Sequence, residues 1–129
     1  AASLANTENS GAENVMLSGP LLVLNGEGIN LDSNPFNSNR HPRTAVAVRK
    51  NKKLILMVVD GRNSKAHGMS LMELASVMKW LGAEDAMNLD GGGSSALYIK
   101  GKNIVSYPSD NKLFDHEGQR KVANIVYLR

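Results

Sequence analysis

Residues 70–95, SLMELASVMKWLGAEDAMNLDGGGSS, decide the fold. Leu71, Leu74, Met78 and Leu81 recur at helical spacing with Ala75 and Val77 beside them, which predicts an amphipathic helix over 70–81. Both ends of that helix are marked. Ser70 and Glu73 form a Ser-x-x-Glu capping box, in which each side chain satisfies a backbone N–H that the first helical turn leaves free. Gly82 stands where a helix ends in a left-handed residue. Residues 86–89 then read as a short strand that runs into Asp90 and three consecutive glycines.

Upstream, residues 54–59 (LILMVV) form a continuous apolar run ending on Asp60-Gly61-Arg62. A run without alternation is the pattern of a strand covered on both faces, so this one is expected in the middle of a sheet. Residues 44–49 precede it across Lys50-Asn51-Lys52-Lys53, the composition of a hairpin turn. Strand, helix and strand in this order predict a crossover unit, with ligand-binding groups at the strand ends. Nearer the N-terminus, the apolar residues 21–24 close on Asn25-Gly26, a tight-turn signal. Residues 30–40 are rich in Asn, Ser, Asp and Pro and read as one long polar loop. Residues 1–14 read as a small, polar lead-in. Downstream, 96–99 and 104–107 flank Lys100-Gly101-Lys102-Asn103 as a second hairpin, and 122–128 is expected as a closing strand. The fold class that follows is α+β (mixed α/β). A central mixed β-sheet with hairpins carries one main helix, within a single domain over 15–129.

Composition narrows the function. The chain has 129 residues, 42% hydrophobic but only 5% aromatic, so its core must be aliphatic. The net charge of +3 is spread over lysines such as Lys50, Lys52, Lys53, Lys100, Lys102 and Lys121, several beside turns. That is a solvated surface rather than a nucleic-acid face. The absence of cysteine excludes disulfides, thiolate metal sites and a cysteine nucleophile. No apolar run approaches the roughly 20 residues of a membrane helix.

Three segments carry candidate chemistry. Three glycines in a row cost backbone entropy that a plain turn does not require. Without side chains, the N–H groups of Gly91, Gly92 and Gly93 can approach an anion or a sugar, and Ser94 and Ser95 add hydroxyls. Asp90 stands at the entrance of this loop, after Asn88 on the preceding strand. The alternative is a flexible turn capped by its own Asp. No Gly-Lys-Ser/Thr follows, so this is not a Walker loop. In His41-Pro42-Arg43, Arg43 is the candidate for a bidentate phosphate contact, against the alternative of an ordinary surface arginine. Asp60 is open to three readings: acid or base, metal ligand, or turn residue. Glu73 is accounted for by the capping box, and His67 and His116 stay unassigned. No His-x-x-x-His spacing occurs, so a divalent cation would have to be held by oxygen; no cofactor is required.

HPRTAV (41–46), VVDGR (58–62), GMSLMELA (68–75), AMNLDGGGSSALYIKG (86–101), SYPSD (106–110) and VANIVYL (122–128) follow one another in the chain. In these segments it resembles the phosphodiester glycosidase family. The resemblance implies removal of an N-acetylglucosamine-like sugar from a sugar-1-phosphodiester, with phosphate as the leaving group. It implies Arg43, Asp60 and Asp90 as catalytic residues. His41, Asn88, Gly91, Gly92, Gly93, Ser94 and Ser95 would bind substrate, with Ser109 and Asp110 at the rim and Arg120 as a second phosphate contact. Because a phosphate monoester already leaves readily, the chemical demand is to stabilise its charge and to activate a nucleophile. Arg43, the amides of Gly91–Gly93 and Ser94 take the first task; of the Asp60–Asp90 pair, one serves as base or nucleophile and the other positions the sugar. No metal ligands are implied. The setting implied is extracytoplasmic, and bacterial members are associated with exopolysaccharide. Ala47 departs from the glycine expected after Thr-Ala-Val. The family also carries an N-terminal half of the catalytic domain, so this chain is expected to be the C-terminal part. Its partner would be that half, as a second chain or a cleaved segment, or another copy of itself. The alternatives are a phosphosugar-binding module without turnover and a half-domain that completes a partner chain.

Overall fold

A computed structural model describes residues 15–128, and the lead-in expected at 1–14 lies outside them. In chain order the elements are β1 (Leu21–Leu24), β2 (Glu27–Gly28), α1 (Pro35–Ser38), β3 (Arg43–Arg49), β4 (Leu54–Val59), α2 (Leu71–Trp80), β5 (Ala83–Asn88), β6 (Tyr98–Ile99) and β7 (Asn103–Ile104). Strands β1 to β5 form one sheet in the order β2-β1-β5-β3-β4, and each neighbouring pair is antiparallel. Strands β4 and β5 both oppose β3 and so run parallel to each other, with α2 crossing between them. The fold is α+β, with one main helix on a sheet.

Helix α2 forms where the apolar period placed it. Ser70 Oγ accepts the Glu73 N–H at 3.2 Å and Glu73 Oε2 accepts the Ser70 N–H at 2.9 Å, so the capping box closes in both directions. Gly82 ends the helix at φ +78°. Leu71, Leu74, Ala75 and Met78 are buried against Leu22 and Val23 of β1 and the alanines Ala45, Ala47, Ala83 and Ala86. Small residues on the sheet let the large helical side chains sit close to its backbone. Each fully buried Leu or Met there contributes about 1.5–3 kcal/mol relative to exposure. No helix among the described residues is long and apolar enough to cross a membrane.

The structure corrects three expectations. Strand β4 is not central: among the described residues it pairs only with β3, at the sheet edge. Ile55, Met57 and Val59 pack on the core, while Leu54 on the opposite face is 39% exposed. The rest of the run, Ile55 to Val59, is half-buried on both faces rather than fully covered. Residues 30–40 are not a single loop, because α1 interrupts them. Asn34 Oδ1 accepts the Asn37 N–H at 3.0 Å and Pro35 opens the helix, a cap and a first-position proline that the sequence did display. Residues 122–128 form no strand; Val122, Ile125, Val126 and Leu128 are all exposed. β propensity alone does not make a strand, which needs a partner edge for its N–H and C=O groups.

Candidate active site

The antiparallel order brings three strand ends together: the start of β3 at Arg43, the end of β4 before Asp60, and the end of β5 before Leu89 and Asp90. Between them and the segment Ser18-Gly19 opens a cleft of about 450 Å³. His41, Arg43, Arg62, Asn88, Asp90, the three glycines and Arg120 line it.

The glycine loop is built tightly onto its neighbours. Gly91 N–H donates to Asp90 Oδ1 at 2.9 Å and Gly92 N–H donates to Pro42 O at 2.9 Å, so two of the three amides are engaged within the protein. The amide cradle expected at 91–93 is accordingly not open as such. The glycines answer a different need, the close approach of three separate groups. A Cβ at Gly91 would lie 2.8 Å from Pro42 O, and one at Gly92 would lie 3.0 Å from Arg62 Nη2. At Gly93 it would overlap the Asp110 carboxylate. Asp90 itself is exposed at the mouth of the cleft.

Several expected site residues serve the frame. Arg43 is only 3% exposed; its Nε donates to Met69 O at 2.9 Å and its Nη2 to Phe36 O and Asn39 O at 2.8 and 2.9 Å. Its Nε and Nη2 are thus engaged by backbone carbonyls, while Nη1 makes no hydrogen bond among the described residues and Arg43 still lines the cleft. Burial lowers its pKa from the usual arginine value. Ser95 is buried and accepts from Thr44 Oγ1 at 3.0 Å, so it braces β3 rather than facing the cleft. Asn88 is buried and donates through Nδ2 to Gly19 O at 2.9 Å, pinning the N-terminal approach; its Oδ1 is buried without a partner. Ser94 belongs to a short 3-10 turn at Gly92–Ser94 and does not line the cleft.

Asp60, Ser109 and Asp110 do not line the cleft; from the 106–120 segment only Arg120 does. Asp60 Oδ1 accepts the Tyr107 N–H at 2.8 Å. The Tyr107 ring stacks on Phe114 with centroids 4.0 Å apart and touches His116 at 4.3 Å, while His116 Nδ1 bonds Ser106 O at 2.7 Å. This aromatic knot fixes the turn that carries Ser109, whose hydroxyl is buried and unpartnered, and Asp110. Arg120 grips Asp110 with two bonds of 2.8 and 2.9 Å, and the Arg120 N–H donates to Gly93 O at 3.3 Å. The guanidinium holds the Asp110 carboxyl below its ordinary value.

His41 lines the cleft through an isolated bridge to Met69, in which each residue donates to the other's carbonyl, at 3.2 and 3.0 Å. Burial, then the nearby charges of Arg43 and Arg62, depress its pKa below 6.5, so it is neutral at pH 7. Arg62, quoted within VVDGR but given no role by the sequence, is a charged cleft component that sequence reasoning missed. Among the described residues no cluster of three or more His, Asp or Glu side chains is arranged to hold a metal.

The profile of the phosphodiester glycosidase family matches residues 1–129. The SPbeta prophage-derived protein YomE of Bacillus subtilis is 32% identical over 109 residues, covering 70% of this chain and 17% of YomE. The mouse N-acetylglucosamine-1-phosphodiester alpha-N-acetylglucosaminidase is 39% identical over 69 residues, 54% of this chain and 13% of the mouse protein. The auto-inhibited catalytic domain of the zebrafish enzyme of that name superposes with a TM-score of 0.59 at 34% identity, over 69% of this chain and 33% of the zebrafish chain. The chain thus spans a third or less of each relative's length. By the match across its whole sequence, it belongs to the phosphodiester glycosidase family.

Proposed function

We propose that the protein is a glycoside hydrolase that removes an N-acetylglucosamine-like sugar from a sugar-1-phosphodiester, with the phosphate as leaving group. The observation that carries this reading is an exposed carboxylate, Asp90, at the mouth of a cleft whose other charged members are guanidinium groups. Such a pairing suits a reaction in which negative charge gathers on a departing phosphate while a carboxylate acts at carbon. Asp90 attacks the anomeric carbon or takes a proton from the attacking water. Its Oδ1 is oriented by the Gly91 N–H, which fixes the direction of the carboxylate. Asp60 is a positioning residue here, bracing through Tyr107 the segment that brings Arg120 to the cleft. Neutral His41 offers a hydrogen bond to a sugar hydroxyl.

The same reading includes a partner. The exposed 122–128 segment and the edge of β4, which has no second strand partner among the described residues, suit pairing with a further part of the catalytic domain, or with a second copy of this chain. That the match covers 33% of the zebrafish chain favours the former. An extracytoplasmic setting rests on the family resemblance alone.

The test is release of free N-acetylglucosamine from UDP-N-acetylglucosamine or a simpler sugar phosphodiester. Release that Asp90→Asn abolishes, with the fold kept, supports the hydrolase. The β4 edge and the short span also favour a second reading, a phosphosugar-binding module without turnover. Binding without release, alone and with the remainder of the domain supplied, would establish that one instead.

A further inference from the structure

Three guanidinium groups line the cleft, and they are not equivalent. Arg43 binds three backbone carbonyls and is buried. Arg120 is held by both oxygens of Asp110. Arg62 is exposed, and among the described residues its guanidinium makes neither a hydrogen bond nor an ion pair.

Arg62 is nevertheless placed with care. Its φ of +60° lies in the left-handed region that residues other than Gly, Asn and Asp seldom adopt. Such a conformation is costly and is retained mainly where its surroundings require it. Here it carries the side chain from the end of β4 across to the glycine loop. A Cβ at Gly92 would meet Arg62 Nη2 at 3.0 Å and Nη1 at 3.1 Å, so the glycine keeps the space this guanidinium occupies. Gly92 is two residues beyond Asp90, and the Arg62 fork and the exposed Asp90 carboxylate line the same cleft.

We propose that Arg62, and not Arg43, is the residue that binds the anionic group of the substrate, which is the phosphate of a sugar phosphodiester if the reading above holds. The fork presents parallel N–H donors that match two phosphate oxygens. Arg43 is then a positioning residue that ties β3 to α1 and to Met69. Arg120 belongs to the wall over Gly93.

The test measures binding of inorganic phosphate by NMR titration of the protein and of its R62Q, R62K and R43Q variants, with the amide spectrum as the check on folding. R62Q weakens phosphate binding by about tenfold or more, as expected for a lost charge-assisted pair, and R62K restores part of it. R43Q lowers the melting temperature, yet its folded molecules bind phosphate as the parent does. Because phosphate is the probe, this outcome is independent of turnover: a protein that binds phosphate through Arg62 but releases no sugar sinks the hydrolase reading alone. Unchanged phosphate affinity in folded R62Q, or no phosphate binding by the parent, overturns the assignment of Arg62.

Discussion

The Asp60 carboxylate accepts the Tyr107 backbone N–H at 2.8 Å, and through that one bond the end of β4 holds the segment that bears Asp110 and Arg120. The segment that brings Arg120 to the cleft is thus braced by a residue that could equally have been taken for an acid or a base. Asn keeps an acceptor oxygen at this site and Ala does not. Asp60→Asn is expected to retain most of the stability, while Asp60→Ala loses about 1–3 kcal/mol by leaving the buried side of the turn unsatisfied. Denaturant melts of the two variants check this. Equal losses would mean that the hydrogen bond is not what Asp60 contributes.

Gly93 permits the close approach of the Asp110–Arg120 pair, so Gly93→Ala should push that pair off the loop. The expected cost is about 1–3 kcal/mol, as for other insertions into tightly packed sites. Combining it with Asp110→Ala should recover part of the loss, since the first overlap is with the carboxylate. A double-mutant cycle on melting free energies measures the coupling, and strict additivity would rule out the clamp.

Replacing Arg43 removes a donor from three backbone carbonyls, of which Met69 O keeps the His41 N–H. Arg43→Gln should therefore destabilise by roughly 2–4 kcal/mol, the range for breaking a buried hydrogen-bond network. A melting temperature within a degree or so of the parent would return Arg43 to the list of ordinary arginines.

His41 gives a pH dependence whose sign is fixed. Its folded pKa is depressed below 6.5, so in the window beneath that value the unfolded chain binds more protons than the folded one. The stability this contributes is present above pH 6.5 and is lost as pH falls through the folded pKa. Glu73 and Asp110, also depressed, add their own losses only below their ordinary values of 4.5 and 3.8. Ring-proton NMR should place the His41 midpoint below 6.5 and move it upward in R62Q, where one repelling charge is gone. A midpoint at or above 6.5 in the parent contradicts the environment described.

Much of this fold was legible because its signals are local. The α2 capping box, the 50–53 and Asn25-Gly26 turns and the apolar period on α2 all act within a few residues of one another. The convergence of His41, Asp60, Asp90 and Arg120 on one end of the sheet was not local, and only the order of motifs hinted at it. Arg62 went unnoticed because neither its left-handed backbone nor its approach to Gly92 has a one-dimensional signature. The framing contacts of Arg43 were hidden for the converse reason. An arginine in a polar context looks available until tertiary packing shows where its donors go. The absent strand at 122–128 shows the same limit, since β propensity does not reveal whether an edge is there to receive it.

The central claim, cleavage at the sugar carbon with Asp90 acting there, is tested most directly by hydrolysing UDP-N-acetylglucosamine in oxygen-18 water and locating the label by mass spectrometry. Label in the released N-acetylglucosamine, with none above background in the phosphate product, is the result the account predicts. Label in the phosphate would mean attack at phosphorus and would contradict it.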